Sequence, residues 1–413
     1  MSCKVLHVIP ALAPRYGGPS AAVVGMCRTL IDASVPTLIA STDADGRGRL
    51  TVETGQIESY NGVPAIFFPR LASESFKWSA PLEAWLRERV ADFDIVHVHA
   101  VFSHSSLAAG RACRAAQVPY IVRPLGTLDP WSLGRHSLRK KLLFRFGVRN
   151  LLAGAAAMHY TSDEERRLAE SVLPWLPTGA IVPLGIDDDL FVRGSGHTAS
   201  RTTSVLMLSR LDVKKGIDLL IRAFHDASRD DASWTLDIAG DGDPAYVAEL
   251  RRLAEAGPAR SRIVFHGWVQ GEQRTALFRR ASVFALPSHQ ENFGIAVVEA
   301  MANGVPVIVS PGVNLAPEIE SHVAGWVVPR EAALWQQALR NAMRDADELG
   351  RRGEQARALA ERFRWSAVGG RLTALYEQIL ATWSSTSTSA GATPVAPPVF
   401  ARRRTITEGG AER

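Results

Sequence analysis

The sequence predicts an α/β protein made of two doubly wound domains that face each other across a cleft. Three observations predict it. Short apolar runs alternate with helical patterns along most of the chain, as they do in parallel sheets covered by helices. The alternation occurs twice, with a Gly-, Ser- and Thr-rich stretch at 194–203 between the halves, which reads as a linker. Several apolar runs end in a glycine-containing loop, and open α/β sheets bind ligands at the carboxyl ends of their strands. The 413 residues, 46% hydrophobic and 22% charged, suffice for two large domains. The first domain is assigned to 1–190, the linker to 191–203, the second domain to 204–365 and a further helix to 366–383. The stretch 384–413 is rich in Ser, Thr, Ala and Pro. It cannot bury enough apolar area to order itself and reads as a disordered tail.

Composition excludes other classes. A formal net charge of +5 is a mild surplus among abundant carboxylates and implies no nucleic-acid partner. The three cysteines, Cys3, Cys27 and Cys113, are odd in number and unpaired in spacing. They fit a reducing cytoplasm and no metal knuckle. The start is interrupted too quickly for a signal peptide. No run approaches the roughly 20 apolar residues of a membrane helix, so any membrane contact is expected to be peripheral.

Val5–Ile9 reads as the first buried strand. Gly17-Gly18 follows in the loop before an Ala-rich helix from Ser20 to about Ile31. A glycine pair there is either a plain tight turn or a place where backbone approaches a phosphate. Strands follow at Thr37–Ala40, Val63–Phe68 and Asp94–His99. His97 and His99 alternate with valines and share one face. They are either hydrogen-bonded partners under a loop or ligand contacts at a strand end. No third ligand is evident nearby, which argues against a metal pair. Tyr120–Val122 is the next strand and leads into Arg123-Pro-Leu-Gly-Thr-Leu-Asp-Pro-Trp131. Between Pro130 and Ser162 there is no acidic residue, while Arg135, Arg139, Lys140, Lys141, Arg145 and Arg149 alternate with leucines and Phe146. This is a basic amphipathic helix, which either seeks an anionic membrane surface over 135–149 or packs its apolar face inward. After the strand Ala155–Tyr160, Thr161-Ser162-x-x-Glu165 reads as a capping box, and His159 as a core-edge residue. Ala180–Leu184 and Gly185-Ile-Asp187 close the first half.

In the second half, Ser204–Leu208 is a strand followed by Arg210 and Lys215-Gly216. Two cations five apart at a strand end can converge on a diphosphate. Trp234–Ala239, Arg262–His266 and Val283–Leu286 are further strands. After the last comes Pro287-Ser288-x-x-Glu291-x-Phe293-Gly294-x-x-x-x-Glu299-Ala300-x-Ala302-x-Gly304-x-Pro306-Val307. This is a strand, a loop and a helix. The loop places Glu291, Asn292 and Gly294 at a helix N-terminus, whose free N–H groups and dipole suit a phosphate. Glu291 and Glu299 would repel that anion directly, so they read as acceptors for the hydroxyls of a polyol that carries it. Val305–Ser310, Pro317-Glu318-Ile319 and Ala324–Pro329 complete the half before the C-terminal helices.

Glu291-x7-Glu299 within that longer pattern resembles the signature of the family 4 retaining glycosyltransferases, which have the GT-B fold. Arg210-x4-Lys215-Gly216, Gly17-Gly18, the Pro-Glu-Ile segment and Ala324-Gly-Trp-Val-Val-Pro329, which is similar to the family's Gly-x-x-Val-x-Pro, resemble the same family. The resemblance covers about residues 3 to 382. It implies two Rossmann-like domains, with the helix after Trp365 crossing back onto the first. It implies hexosyl transfer from a nucleotide-sugar to an acceptor hydroxyl with retention, without metal or other cofactor. Arg210 and Lys215 would bind the donor diphosphate, with help from the Gly17 and Gly18 amides and from Gly294-Ile295. Glu291 would hold donor-sugar hydroxyls and Glu299 the ribose. Asn292 and Phe293 would line the donor site, and Gly267 and Val269 the base. Arg210, Lys215 and Glu291 are thus the catalytic candidates.

Two stretches depart from the family. Relatives have a histidine where this chain has Leu125, and Pro183-Leu-Gly-Ile-Asp187 is one residue off pattern. The loop Pro124–Trp131 resembles exopolysaccharide-assembly enzymes, which implies a lipid-linked saccharide acceptor. On the acceptor side the candidates are His99, Arg123, Gly126 and Asp129, with His104 also in reach. The alternatives are a sugar-nucleotide epimerase or hydrolase of the same fold, or a non-catalytic sugar-nucleotide-binding protein.

Overall fold

The computed structural model describes residues 3–134, 138–191 and 202–387. The β-branched and aromatic runs of the first half form β1 (Val5–Val8), β2 (Thr37–Thr42), β3 (Ala44–Asp45), β4 (Gly48–Arg49), β5 (Ile57–Tyr60), β6 (Val63–Phe68), β7 (Ile95–His99), β8 (Tyr120–Arg123), β9 (Ala157–Tyr160) and β10 (Gly179–Ile181). Eight of them make one sheet in the order β10-β9-β8-β7-β1-β2-β6-β5. All of its pairings are parallel except β5 with β6. Strand β5 is an addition to the sequence reading. Its turn, Asn61-Gly62, has positive φ at both residues, 51° and 81°, the left-handed pair that a two-residue hairpin requires. The second half gives β11 (Ser204–Leu208), β12 (Thr235–Ala239), β13 (Ile263–Gly267), β14 (Val283–Leu286), β15 (Val307–Val309) and β16 (Gly325–Val327). They form a wholly parallel sheet in the order β13-β12-β11-β14-β15-β16.

The central strands β1, β2, β7, β8, β9, β11, β12, β14 and β15 are buried along nearly their whole length, as parallel strands covered on both faces must be. The strand order reverses between β1 and β7 in the first sheet, and between β11 and β14 in the second. Such switch points open a crevice at the carboxyl edge of a sheet. The loops that leave them carry Gly17-Gly18 and His99 on one side, and Arg210, Lys215 and Glu291 on the other.

The final helix, Trp365–Ser387, returns to the first domain. Thr29 Oγ1 donates to the carbonyl of Trp365 at 3.1 Å, and the Tyr376 hydroxyl meets His97. The helix includes Trp365 and runs to Ser387, so it overlaps the start of the tail assigned to 384–413. The rest of that tail and most of the linker assigned to 191–203 lie outside the described residues.

In the basic stretch assigned to 135–149, residues 138–149 are continuously helical with a π segment inside, and 135–137 lie outside the described residues. The described segments are Leu138–Leu143, a wide π turn at Phe144–Val148 and Arg149–Ala153. The side chains of Arg135, Arg139 and Lys140 lie outside the described residues. Lys141, Leu142, Arg145 and Phe146 are exposed, Phe146 at 71%. Arg149 instead covers the Trp175 ring at 5.6 Å.

Candidate functional site

The end of β11 turns through Asp212, whose carboxylate accepts from Lys214 N at 3.0 Å, into the short 3-10 turn Val213–Lys215. Gly216 closes it at φ 67°. A Cβ there would stand 2.3 Å from the Pro287 carbonyl, so this backbone lies directly against the end of β14. That approach delivers Lys215 to Glu291. The two form an ion pair with both side chains largely buried, 10% and 20% exposed. Arg210 is exposed, and its side chain has no partner among the described residues. Lys214, which the sequence reading passed over, donates to Gln290 Oε1 at 2.9 Å.

The Glu291 loop is held by backbone. Glu291 N–H donates to Gly312 O at 2.8 Å, and Asn314 N–H to Glu291 O at 3.0 Å. Gly294 lies at φ 76° and caps the helix Ile295–Ala302. Phe293 turns inward against Phe363, ring centroids 5.5 Å apart, and so fixes the loop from behind. The helix Gly18–Asp32 begins at Gly17, which has φ 69° and ψ −136°, a conformation suited to glycine alone. A Cβ on Gly18 would touch Ile295 Cδ1 at 3.2 Å. The N-termini of two helices, one per domain, therefore meet across the cleft. Their dipoles both favour an anion between them.

Glu299 is buried inside its helix and paired with Arg274, a residue that no sequence pattern marks. Burial pushes the Glu299 carboxyl up to about 7 in spite of that guanidinium. Val269 is buried, and Gly267, two residues before it, ends β13 at φ 66° with open space where a Cβ would stand. Asp243 caps the helix Pro244–Glu255, accepting from Ala245 N and Tyr246 N at 3.0 and 3.2 Å. It is thereby occupied, and Asp241-Gly-Asp243 is a helix entry.

On the opposite wall, Leu125 and Gly126 both have left-handed φ, 58° and 67°. Gly126 lies close against the second domain, because a Cβ there would fall 2.7 Å from the Asn292 side chain. Asn292 Nδ2 also donates to Thr161 Oγ1 at 3.2 Å, and Gln290 Nε2 to Asp129 Oδ2 at 3.2 Å. Glu165 does not complete a reciprocal capping box with Ser162. Ser162 Oγ accepts from Glu165 N as expected, but the Glu165 carboxylate takes the N–H groups of Thr161 and Gly126. It thus fixes the acceptor-side loop. His104 accepts from Ser79 N and contacts Glu83 Oε2 at 3.0 Å, which commits both its nitrogens to structure.

His97 and His99 do have further histidines nearby, contrary to the expectation from spacing. The register of β1, β7 and β9 stacks His7, His97, His99 and His159 on one face. All four are fully buried. Arg123, 1% exposed, sits beside His99 across β7 and β8. Burial first, with the Arg123 charge adding to it, drives every one of these imidazoles toward the neutral form, His7 and His159 to about 3. Ring nitrogens of His7, His97 and His99 lie within 4.8 Å of one another. That spacing alone could suit a metal ion. The guanidinium and the hydrogen bonds already filling both nitrogens of His97 oppose a cation there.

Comparison with known proteins agrees with this architecture. Residues 17–185 match the family model described as glycosyl transferase 4-like domain, and residues 193–359 match glycosyl transferases group 1. The chain is 28% identical over 391 residues to a GDP-mannose:cellobiosyl-diphosphopolyprenol alpha-mannosyltransferase of Xanthomonas oryzae pv. oryzae, spanning 91% of this chain and 97% of that protein. It is 29% identical to a D-inositol 3-phosphate glycosyltransferase of Xylanimonas cellulosilytica, over 48% of this chain and about half (51%) of that one. Anabaena Alr3699/HepE, solved in complex with UDP and glucose, superposes with a TM-score of 0.71 at 19% identity, over 91% of this chain and 100% of that chain. Sucrose-phosphate synthase from Thermosynechococcus elongatus gives 0.72 at 19%, over 92% and 100%. Two facing Rossmann-like domains, each matched by its own glycosyltransferase model, are the GT-B architecture, and the chain belongs to the family 4 glycosyltransferases.

Proposed function

We propose that the chain is a retaining hexosyltransferase that moves a hexosyl unit from a nucleotide-sugar to a hydroxyl of a lipid-linked saccharide in cell-surface polysaccharide assembly. The observation that carries this reading is the buried Lys215–Glu291 pair at the mouth of the helix Ile295–Ala302, with the unpaired Arg210 nearby. A departing nucleoside diphosphate gains negative charge as the anomeric C–O bond breaks. Arg210, Lys215 and the two facing helix N-termini are fixed donors for that charge, and such preorganised donors typically contribute about 3–4 kcal/mol each. Glu291 is released from Lys215 as the phosphates arrive, and accepts hydroxyls of the transferred sugar. Glu299 accepts ribose hydroxyls. The acceptor oxygen then bonds to the anomeric carbon on the face that the leaving group vacates. The bonding pair of the broken C–O bond stays with the phosphate, and a phosphate oxygen takes the acceptor's proton. Since cationic side chains neutralise the diphosphate, the reaction is proposed to be independent of metal. The end-to-end likeness to a mannosyltransferase for a diphosphopolyprenol-linked acceptor supports the acceptor class. Exposed Lys141, Leu142, Arg145 and Phe146 offer a surface for an anionic bilayer. No helix among the described residues is long and apolar enough to cross a membrane.

The test is thermal-shift stabilisation by UDP, GDP, ADP, CMP and their sugars, with and without EDTA. Turnover by Glu291→Gln is then measured with the donor selected. The expected result is a selective shift that survives EDTA, and a variant that binds nucleotide but loses about 10²–10³-fold in turnover. A shift abolished by EDTA overturns metal independence. Donor converted without any acceptor identifies an epimerase or hydrolase, and no shift at all identifies a lost donor site.

A further inference from the structure

The four buried histidines form a chain whose protonation pattern can be worked out. His159 Nε2 stands 2.7 Å from the Val182 carbonyl. A carbonyl only accepts, so Nε2 carries the proton and Nδ1 is an acceptor. His97 Nε2 therefore donates to His159 Nδ1 across 3.0 Å, which leaves His97 Nδ1 as the acceptor of the Tyr376 hydroxyl at 2.8 Å. With its proton spent on His97, the Tyr376 oxygen can only accept from His7 Nε2, across a longer 3.5 Å. The opposite assignment would set two lone pairs against each other. His7 Nδ1 then accepts from His99 Nε2 at 2.9 Å. Every ring is a neutral Nε2–H tautomer. The chain ends on the lone pair of His99 Nδ1, a fully buried atom with no partner among the described residues.

Beside that lone pair, Nε and Nη1 of Arg123 are also buried and unpartnered. Burial lowers the guanidinium to about 10, so it stays charged near neutrality. The Glu165 carboxylate lies near enough to act on that charge, but Nε and Nη1 still lack hydrogen-bond partners, and proteins pair nearly all their buried polar groups. Both residues end their strands at the carboxyl edge of the sheet. The loop that follows Arg123 is the one that touches Asn292, next to the Glu291 site.

We propose that this unpartnered end is the acceptor subsite, in which His99 Nδ1 accepts from an acceptor hydroxyl and Arg123 pairs with an anionic group, a phosphate or a carboxylate, on the same acceptor. The inference rests on the transferase reading above and adds that the acceptor is an anionic saccharide. Tyr376 and the other histidines are positioning residues, since they hold His99 in the tautomer that presents a lone pair.

The full chain, saturated with the nucleoside diphosphate that stabilises it, is titrated by thermal shift with inorganic phosphate, glucuronate and the neutral control methyl α-glucoside. The expected result is a further saturable shift with an anion and none with the control. Phosphate alone points to a phosphorylated acceptor, glucuronate alone to a uronic acid, and both to a general anion subsite. Arg123→Gln should weaken that anion about tenfold or more while leaving the nucleotide shift intact. If Arg123→Gln does not fold, Arg123→Lys serves, and a weakened anion response with unchanged nucleotide response supports the subsite. Tyr376→Phe should weaken the anion and also change the His99 ring-nitrogen shifts in ¹⁵N-histidine spectra. An anion response that is missing in wild type, or unchanged in the Arg123 variants, overturns the inference. A missing nucleotide response overturns the transferase reading instead.

Discussion

Glu299 and Glu291 stand eight residues apart, yet they are held in different ways. Glu291 pairs with Lys215, whereas Glu299 is buried and its carboxyl rises from 4.5 to about 7 even with Arg274 beside it. A carboxylate accepts from both ribose hydroxyls, and the protonated acid is a poorer acceptor. Nucleotide affinity is therefore expected to rise between pH 6 and pH 8. Glu299→Gln should flatten that dependence and weaken binding, and calorimetry at the two pH values checks both. The pairing of carboxylates was legible in the sequence because their spacing sits in a longer pattern. Arg274 was not, since nothing in Gly271–Arg280 distinguishes one helix-surface arginine from another until the fold sets it against Glu299. The same holds for Gln290 and Thr161, small polar groups whose role depends on the opposite domain.

At the scale of elements, the strand faces carry the next lesson. His97 and His99 showed in the sequence as an alternating pair, but His7 and His159 lie on strands far away in the chain, and only the strand order brings them together. Each is neutral in the fold and titrates near 6.5 when unfolded. The unfolded chain thus binds more protons below pH 6.5. The stabilising contribution is complete above that value and is lost as pH falls toward 3, at up to about 1.4 kcal/mol per pH unit for each histidine. Glu299, raised in the fold, acts oppositely between about 4.5 and 7, one group against four. Urea midpoints should fall from pH 7 to pH 5, and His159→Gln should make that fall shallower. The return helix is equally specific in its packing. A Cβ at Gly185 or Gly25 would lie 2.2 Å from the Trp365 ring, so both segments are built around that indole. Gly185→Ala is expected to cost about 1–3 kcal/mol by overpacking, read as a lowered urea midpoint. The sequence showed Gly185 only as the glycine of a family-like segment whose departure lies at Leu184, and could not show what fills the space beside it.

For the whole molecule, the two-domain plan was readable because alternation, linker and terminal motifs all agreed. The depth of closure was not readable. Gly126 against Asn292, Gly18 against Ile295, and Gln290 with Asp129 are contacts between segments that no local pattern relates. The chain also changes domain twice, once between Phe191 and Thr202 and again near Phe363–Trp365, where Ile186 bridges Arg364. That second passage governs how the protein can be recombined. The helix Trp365–Ser387 follows the second domain in sequence, but its Tyr376 completes a network inside the first. A chimera that takes its second domain from a relative must therefore splice back before Trp365, because the heritable module is discontinuous: the first domain together with its own last helix.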